Sequence, residues 1–173
     1  MTLSYLNKIR IIKDFPKKGI NFYDISSLLS NPYIFNRCLL KMIKKTKKFN
    51  PTAIVGIDSR GFIFASIIAY KLKLKLVMIR KKGKLPGSVY KSSYKLEYGS
   101  NTLELQKGFL NSKDRVLLID DIFATSGTMN ASVSLIKKSK AKITGALVLL
   151  ELVFLKGKKD FKFNLESIEK ANN

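Results

Sequence analysis

Four strand-length runs, almost wholly apolar, constrain this chain more than anything else in it. They are Ala53–Ile57 (AIVGI), Leu76–Ile79 (LVMI), Arg115–Ile119 (RVLLI) and Ile143–Leu150 (ITGALVLL). None shows the strict apolar–polar alternation of a strand with one wet face. A strand apolar at successive positions is buried on both faces, which implies a parallel sheet covered by helices on each side. Helical patterns stand between the runs. Phe35, Leu39, Met42 and Ile43 recur at helical spacing after Pro32, a residue suited to a first helical turn, and Asn50-Pro51 closes that region. A second helix is predicted up to about Tyr70 and a third up to about Lys140. The expected fold class is therefore α/β, a parallel sheet flanked by helices. Residues 4–13 read as a short helix, and Phe15–Ile25 as a loop punctuated by Pro16 and Gly19. The stretch from Arg80 to Thr102 shows no clear period, and a loop of that length suits a flexible lid.

Length and composition narrow the class. A chain of 173 residues suits one domain and buries enough surface to need no covalent staples. No apolar run approaches the roughly 18 residues of a membrane span, and the first residues lack the apolar core of a signal peptide, so no membrane partner is expected. One cysteine, Cys38, allows no internal disulfide; on a predicted helix among apolar neighbours it reads as packing, and a reducing cytoplasm is the expected location. The formal charge of +21 invites a nucleic-acid reading. Against it, 28 of the 33 basic residues are lysines spread along the whole chain, as in Lys44-Lys45, Lys137-Lys138 and Lys158-Lys159. That pattern reads as a solvated surface, and no nucleic-acid partner is expected. The field would still attract small anions. There is no histidine, which excludes a Ser-His-Asp triad and any histidine metal site.

In open α/β sheets, ligands sit beyond the carboxyl ends of the strands. Three of those ends carry Asp58-Ser59-Arg60-Gly61, Arg80-Lys81-Lys82-Gly83 and Asp120-Asp121. The last opens the stretch VLLIDDIFATSGTM, residues 116–129. Ala124, Ser126 and Gly127 let backbone N–H groups approach an anion; Thr125, Ser126 and Thr128 add hydroxyl donors; and a helix N-terminus follows. This is a phosphate cradle without the spacing of a Walker loop or of GxGxxG. By itself such a turn is as often a plain helix cap. The acids ahead of it decide the matter. Adjacent carboxylates repel, and they are worth burying only if they grip something, such as vicinal sugar hydroxyls or the water shell of a Mg²⁺ ion. A phosphate one turn from two hydroxyl acceptors matches a ribose 5-phosphate.

VLLIDDIFATSGTM resembles the signature of the type I phosphoribosyltransferases, which bind phosphoribosyl diphosphate (PRPP). With FPKKGINFYDISSLL, GIDSRGFIF, IRKKGKLPG, SYKLEYGSNTLELQ and LVLLELVFLKG, nearly the whole chain is similar to the adenine-specific branch of that family. The resemblance implies a type I phosphoribosyltransferase fold with a small hood, contributed by about residues 1–35, and a flexible catalytic loop at about 80–102. It implies that Asp120 and Asp121 bind the ribose hydroxyls and that Ala124, Thr125, Ser126, Gly127 and Thr128 hold the 5-phosphate. Asp58, Ser59, Arg60 and Gly61 would form the diphosphate loop, with Arg60 catalytic and Arg80 and Lys84 meeting the same group. Glu97 would be the catalytic-loop glutamate near purine N7, beside Tyr98. Phe22 would pack on adenine, flanked by Asn21 and Tyr23. Adenine and PRPP are the implied substrates, Mg²⁺ enters through PRPP and water, and a homodimer is the implied assembly.

Taken singly, most of these residues read more blandly. Glu97 is an ordinary loop glutamate and Phe22 is more often a core residue than a stacking platform, whereas for Arg80 and Lys84 solvated loop charge is only the alternative to a ligand contact. The chain also departs from the family pattern. Phe22-Tyr23-Asp24 stands where many relatives have FRD, Asn21 replaces an aliphatic residue, and Ser126 replaces a glycine. Two other readings stay open at this point: transfer to another purine, and a PRPP-sensing regulator that binds nucleic acid.

Overall fold

The structure is a computed structural model and describes residues 4–95 and 100–172. Its first elements form a small antiparallel sheet, β1 (Arg10–Ile12) with β2 (Phe22–Asp24), followed by a single helical turn α1 (Ser26–Leu29) and the long helix α2 (Pro32–Lys48). Then come β3 (Ala53–Ile57), α3 (Gly61–Leu72), β4 (Lys75–Lys81), β5 (Val89–Lys95), β6 (Ser100–Gln106), β7 (Arg115–Phe123), α4 (Gly127–Lys138), β8 (Lys142–Leu152) and β9 (Leu165–Ala171). The main sheet has the order β5-β6-β4-β3-β7-β8-β9. The five strands β4, β3, β7, β8 and β9 pair in parallel, and the β5–β6 ribbon adds antiparallel to the edge of β4.

The apolar runs do what double-sided burial requires. Successive residues of a strand face opposite sides, and along β7 Leu117 and Ile119 join one core while Val116 and Leu118 join the other. The first core lies under α2 and α3, with Cys38, Met42, Phe64 and Ile68; the second lies under α4, with Met129, Val133 and Ile136. Helix α2 begins as its sequence dictates, with Pro32 in the first turn and the Asn31 side chain accepting the Ile34 N–H at 3.1 Å.

Three expectations need correction. Residues 4–13 are a short 3-10 turn, Leu6–Lys8, and then strand β1. Tyr5 and Ile9 are both buried, which produced a helical spacing, but the Arg10-Ile11-Ile12 run pairs with Asp24-Tyr23-Phe22 instead. The supposed loop Phe15–Ile25 accordingly contains β2. The stretch from Arg80 to Thr102 is not structureless either: it holds β5 and the start of β6. Its polar residues mask the period, because Tyr90 and Tyr94 are the β5 side chains packed on the core beneath α4. Strand β9 (LESIEKA) was missed for a related reason: charge interrupts it, and only pairing with β8 makes it a strand.

Candidate active site

Strand order brings the three chemically loaded ends together. β4, β3 and β7 are neighbours in the sheet, so Arg80, the Asp58–Gly61 turn and Asp120-Asp121 are delivered side by side. A cavity of about 400 Å³ lies there, lined by Asp58, Ser59, Arg60, Asp120, Asp121, Ala124 and Thr128, and also by Lys81, Tyr94, Asn101, Leu103 and Ile122. A smaller hollow of about 80 Å³ follows the turn from Ala124 to Met129 and shares Asp120 with it.

The two aspartates coexist by dividing their partners. Asp120 Oδ1 accepts the backbone N–H of Asp121 at 2.9 Å. Asp121 Oδ2 lies 2.8 Å from Arg60 Nε, a charge contact without the alignment of a hydrogen bond. Burial, and then the neighbouring Asp121 charge, push the Asp120 carboxyl well above the usual carboxylate range. The pair is thus held in a costly state and retains acceptor capacity, which suits hydroxyl donors.

Gly61 explains how the Asp58–Gly61 turn gets so close to β7. A Cβ built there would stand 2.8 Å from Asp120 Oδ1 and 2.9 Å from the Ile119 carbonyl oxygen. Only glycine lets the start of α3 press against β7. The turn before it carries a cis Asp58–Ser59 peptide bond, and Asp58 N–H donates to the Ile79 carbonyl at 2.9 Å. Arg80 donates from Nε to Asp58 Oδ2 at 3.2 Å and from Nη1 to the Lys84 carbonyl at 3.2 Å. The Lys84 side chain is exposed. Behind this turn Glu104 is buried; it accepts the Gly83 N–H at 2.9 Å and faces Lys91 Nζ at 3.5 Å.

The turn after β7 is shaped by Ser126, which sits at φ +70°, a left-handed conformation that favours glycine. Its Oγ accepts from Asn130 Nδ2 at 3.1 Å, so its own proton is free for another acceptor. The same Asn130 amide donates to the Asp160 carbonyl at 3.1 Å, tying the turn to the segment after β8. Thr128 Oγ1 donates to the Tyr94 hydroxyl at 3.1 Å.

On the hood side, the Phe22 ring is half-buried, edge-on to Phe15 at 5.1 Å, with the Arg60 guanidinium 5.5 Å from its centroid. Asn21 is exposed. Tyr23 as a whole is 3% exposed and pairs with Ile11 across the small sheet, so it is part of the core. Glu97 and Tyr98 lie outside the described residues.

Sequence reasoning placed Lys81 at a strand end without giving it a role and missed Tyr94, Asn101 and Leu103; the first reaches the cavity from β4 and the others from the ribbon. Lys81 sits one residue past a predicted site arginine, a signal that could have been used. The ribbon residues gave none, because their place depends on β6 pairing with β4.

A family model described as a phosphoribosyl transferase domain matches residues 24–168. An adenine phosphoribosyltransferase of Mycoplasma mobile is 49% identical over 160 residues, covering 92% of this chain and 91% of that protein. Among solved structures, the adenine phosphoribosyltransferase of Thermoanaerobacter pseudethanolicus superimposes with a TM-score of 0.92 at 36% identity, covering 95% of this chain and 96% of that one. The Giardia lamblia enzyme, solved with 9-deazaadenine, does so with a TM-score of 0.89 at 38% identity, covering 95% and 94%.

Proposed function

The chain belongs to the phosphoribosyl transferase domain family, and within it to the adenine phosphoribosyltransferases, and on that premise we propose that it converts adenine and PRPP to AMP and diphosphate, a purine-salvage reaction. The observation that carries this reading is a cavity lined by the Asp58–Arg60 turn, the acid pair and Ala124 and Thr128, which shares Asp120, Ala124 and Thr128 with the hollow of the turn 124–129. Each of the three linings matches one part of PRPP.

In this reading the backbone N–H groups and hydroxyls of residues 124–128 hold the 5-phosphate, and Asp120 and Asp121 accept hydrogen bonds from the ribose hydroxyls. Arg60, Arg80 and Lys84 meet the diphosphate. The bond from C1 of ribose to the diphosphate oxygen breaks as the N9 lone pair of the base bonds to C1, and the proton of the neutral base passes from N7 to the Glu97 carboxylate. Positive charge grows on the ribose and negative charge on the leaving group. The guanidiniums stabilise the second, in a site where oriented charge is worth more than in water. The acid pair fixes the ribose beneath the purine, which removes a large entropic cost. Glu97 manages the proton or partial charge at purine N7, beside Tyr98. The Phe22 ring covers one face of the base. With Tyr23 buried, the exposed Asn21 is left to contact the base edge.

Magnesium fits this site as a passenger of the substrate. Among the described residues no three His, Cys, Asp or Glu side chains gather into a metal cage. Two carboxylates with spare acceptor capacity suit an ion held mainly by phosphate oxygens and water. When bound, it supplies charge neutralisation for the diphosphate.

A cytoplasmic homodimer completes the proposal. The lone, buried Cys38 is compatible with a reducing compartment, and Tyr33, Leu40 and Tyr70 leave large apolar or aromatic surface exposed. Sedimentation at several concentrations tests the assembly. The activity is tested by a panel of adenine, hypoxanthine and guanine with PRPP and Mg²⁺, following diphosphate release. The expected result is turnover with adenine alone. Equal turnover with another purine, or none with any, overturns it.

A further inference from the structure

Tyr94 belongs to no part of the reading above, yet it touches the phosphate turn twice. Its hydroxyl accepts the Thr128 proton at 3.1 Å. Its ring packs over Gly127, where a Cβ would come within 3.1 Å of Tyr94 Cδ2. Gly127 therefore has two uses: it opens the backbone to an anion, and it lets an aromatic ring settle on the turn. Tyr94 also lines the 400 Å³ cavity beside Asp120, Asp121 and Thr128. It does not line the smaller hollow of the turn itself, which is bounded by residues from Asp120 to Met129.

A threonine hydroxyl has one proton. Given to Tyr94, it is withheld from a phosphate oxygen in the turn. The two acceptors are unequal: a bond to a dianion is shorter and roughly twice as strong as one to a neutral hydroxyl. Phosphate therefore wins the exchange but gains less than it would if the proton were free. We propose that Tyr94 is a positioning residue that competes with the substrate's 5-phosphate for Thr128, so that occupancy of the turn is set against its bond to β5. The proposal rests on the reading that the turn holds that phosphate. Its consequence is a weakened grip on phosphorylated sugar, which also eases release of a phosphorylated product.

Tyr94→Phe keeps the ring over Gly127 and removes the hydroxyl, the competing acceptor together with its own proton; tighter binding then shows that the lost competition outweighs the lost donor. Titration calorimetry with ribose 5-phosphate is expected to show binding three- to tenfold tighter than the parent, with KM for PRPP lowered by a similar factor and kcat changed less than twofold. Tyr90→Phe is the control. It lies on the same strand with its ring beneath Lys107 Nζ at 5.3 Å, and it should leave affinity unchanged. Unchanged or weaker binding in Tyr94→Phe, or an equal shift in Tyr90→Phe, overturns the competition. A parent protein that does not bind ribose 5-phosphate at all sinks the functional reading instead.

Discussion

Arg60 Nε stands 2.8 Å from Asp121 Oδ2, with the guanidinium also 5.5 Å from the Phe22 ring centroid. One side chain of the Asp58–Gly61 turn thus reaches both the acid pair and the Phe22 ring of the small sheet. Its charge lowers the cost of an otherwise repulsive pair. In the proposed reaction the same charge must serve the leaving group, so Arg60 divides its attraction between enzyme and substrate.

Replacing Arg60 with alanine removes one oriented charge-stabilising donor, typically worth about 2.7–4 kcal/mol of transition-state stabilisation. Turnover with adenine and PRPP should fall roughly 10²–10³-fold. Steady-state kinetics decide it, and a near-normal kcat would take this arginine out of the mechanism.

Asp120→Asn should trade activity for stability. The Asp120 pKa is raised on folding, by burial first and by Asp121 second. A carboxyl of that kind costs nothing extra at low pH, where both folded and unfolded chains keep it protonated. As pH climbs past the ordinary value, the unfolded chain releases the proton readily and the folded chain resists, so stability declines. Asparagine has no proton to lose. The Tm advantage of the variant over the parent should be small near pH 4 and widen toward neutrality, while PRPP turnover falls. Calorimetry across that range would show a constant offset if the residue were not strained.

Gly61→Ala places a Cβ 2.8 Å from Asp120 Oδ1 and 2.9 Å from a backbone oxygen. The backbone neighbour cannot swing away, so α3 must move off β7. Overpacking of this kind costs about 1–3 kcal/mol. Chemical denaturation should register the loss, and activity should drop further than stability does, because both Arg60 and Asp120 lie at the displaced junction. A variant of parental stability and turnover would mean that the junction is looser than it stands here.

Ser126→Gly separates shape from chemistry at the turn proposed to hold the 5-phosphate. The left-handed conformation costs a non-glycine residue about 1–2 kcal/mol. Against that relief, glycine loses the Asn130 bond, worth about 0.5–1.5 kcal/mol, and adds unfolded-state freedom of about 0.5–1 kcal/mol. These nearly cancel, so stability should hold within about 0.5 kcal/mol. The hydroxyl donor is gone, however, and a bond to a charged group is worth about 1.5–3 kcal/mol. KM for PRPP should therefore rise about tenfold or more. An unaltered KM would show that Ser126 directs its proton elsewhere.

Much of this site could be read before any fold was known. Asp120-Asp121 followed by a turn of small and hydroxyl residues is a local statement, and so is an apolar strand ending in Asp58-Ser59-Arg60-Gly61. The chemistry of both follows from adjacent residues. The parallel core strands were legible because burial on both faces leaves an unbroken apolar run, as in Val116–Ile119 and Ala146–Leu150. What failed was whatever depends on a distant partner. β1 is a strand because Asp24 lies opposite Arg10, and β9 because β8 lies beside it.

The sequence by itself determined the class of sheet, the residues at its strand ends and the kind of ligand they suit, since each of those depends on residue type and short-range spacing. Tertiary structure alone decided that Arg60 meets Asp121, that Gly61 has to be glycine against β7, and that the β5 residue Tyr94 holds Thr128. The reason is physical. Strand order and ribbon pairing are long-range choices among competing burials, and no local pattern in a chain encodes which two distant surfaces will touch.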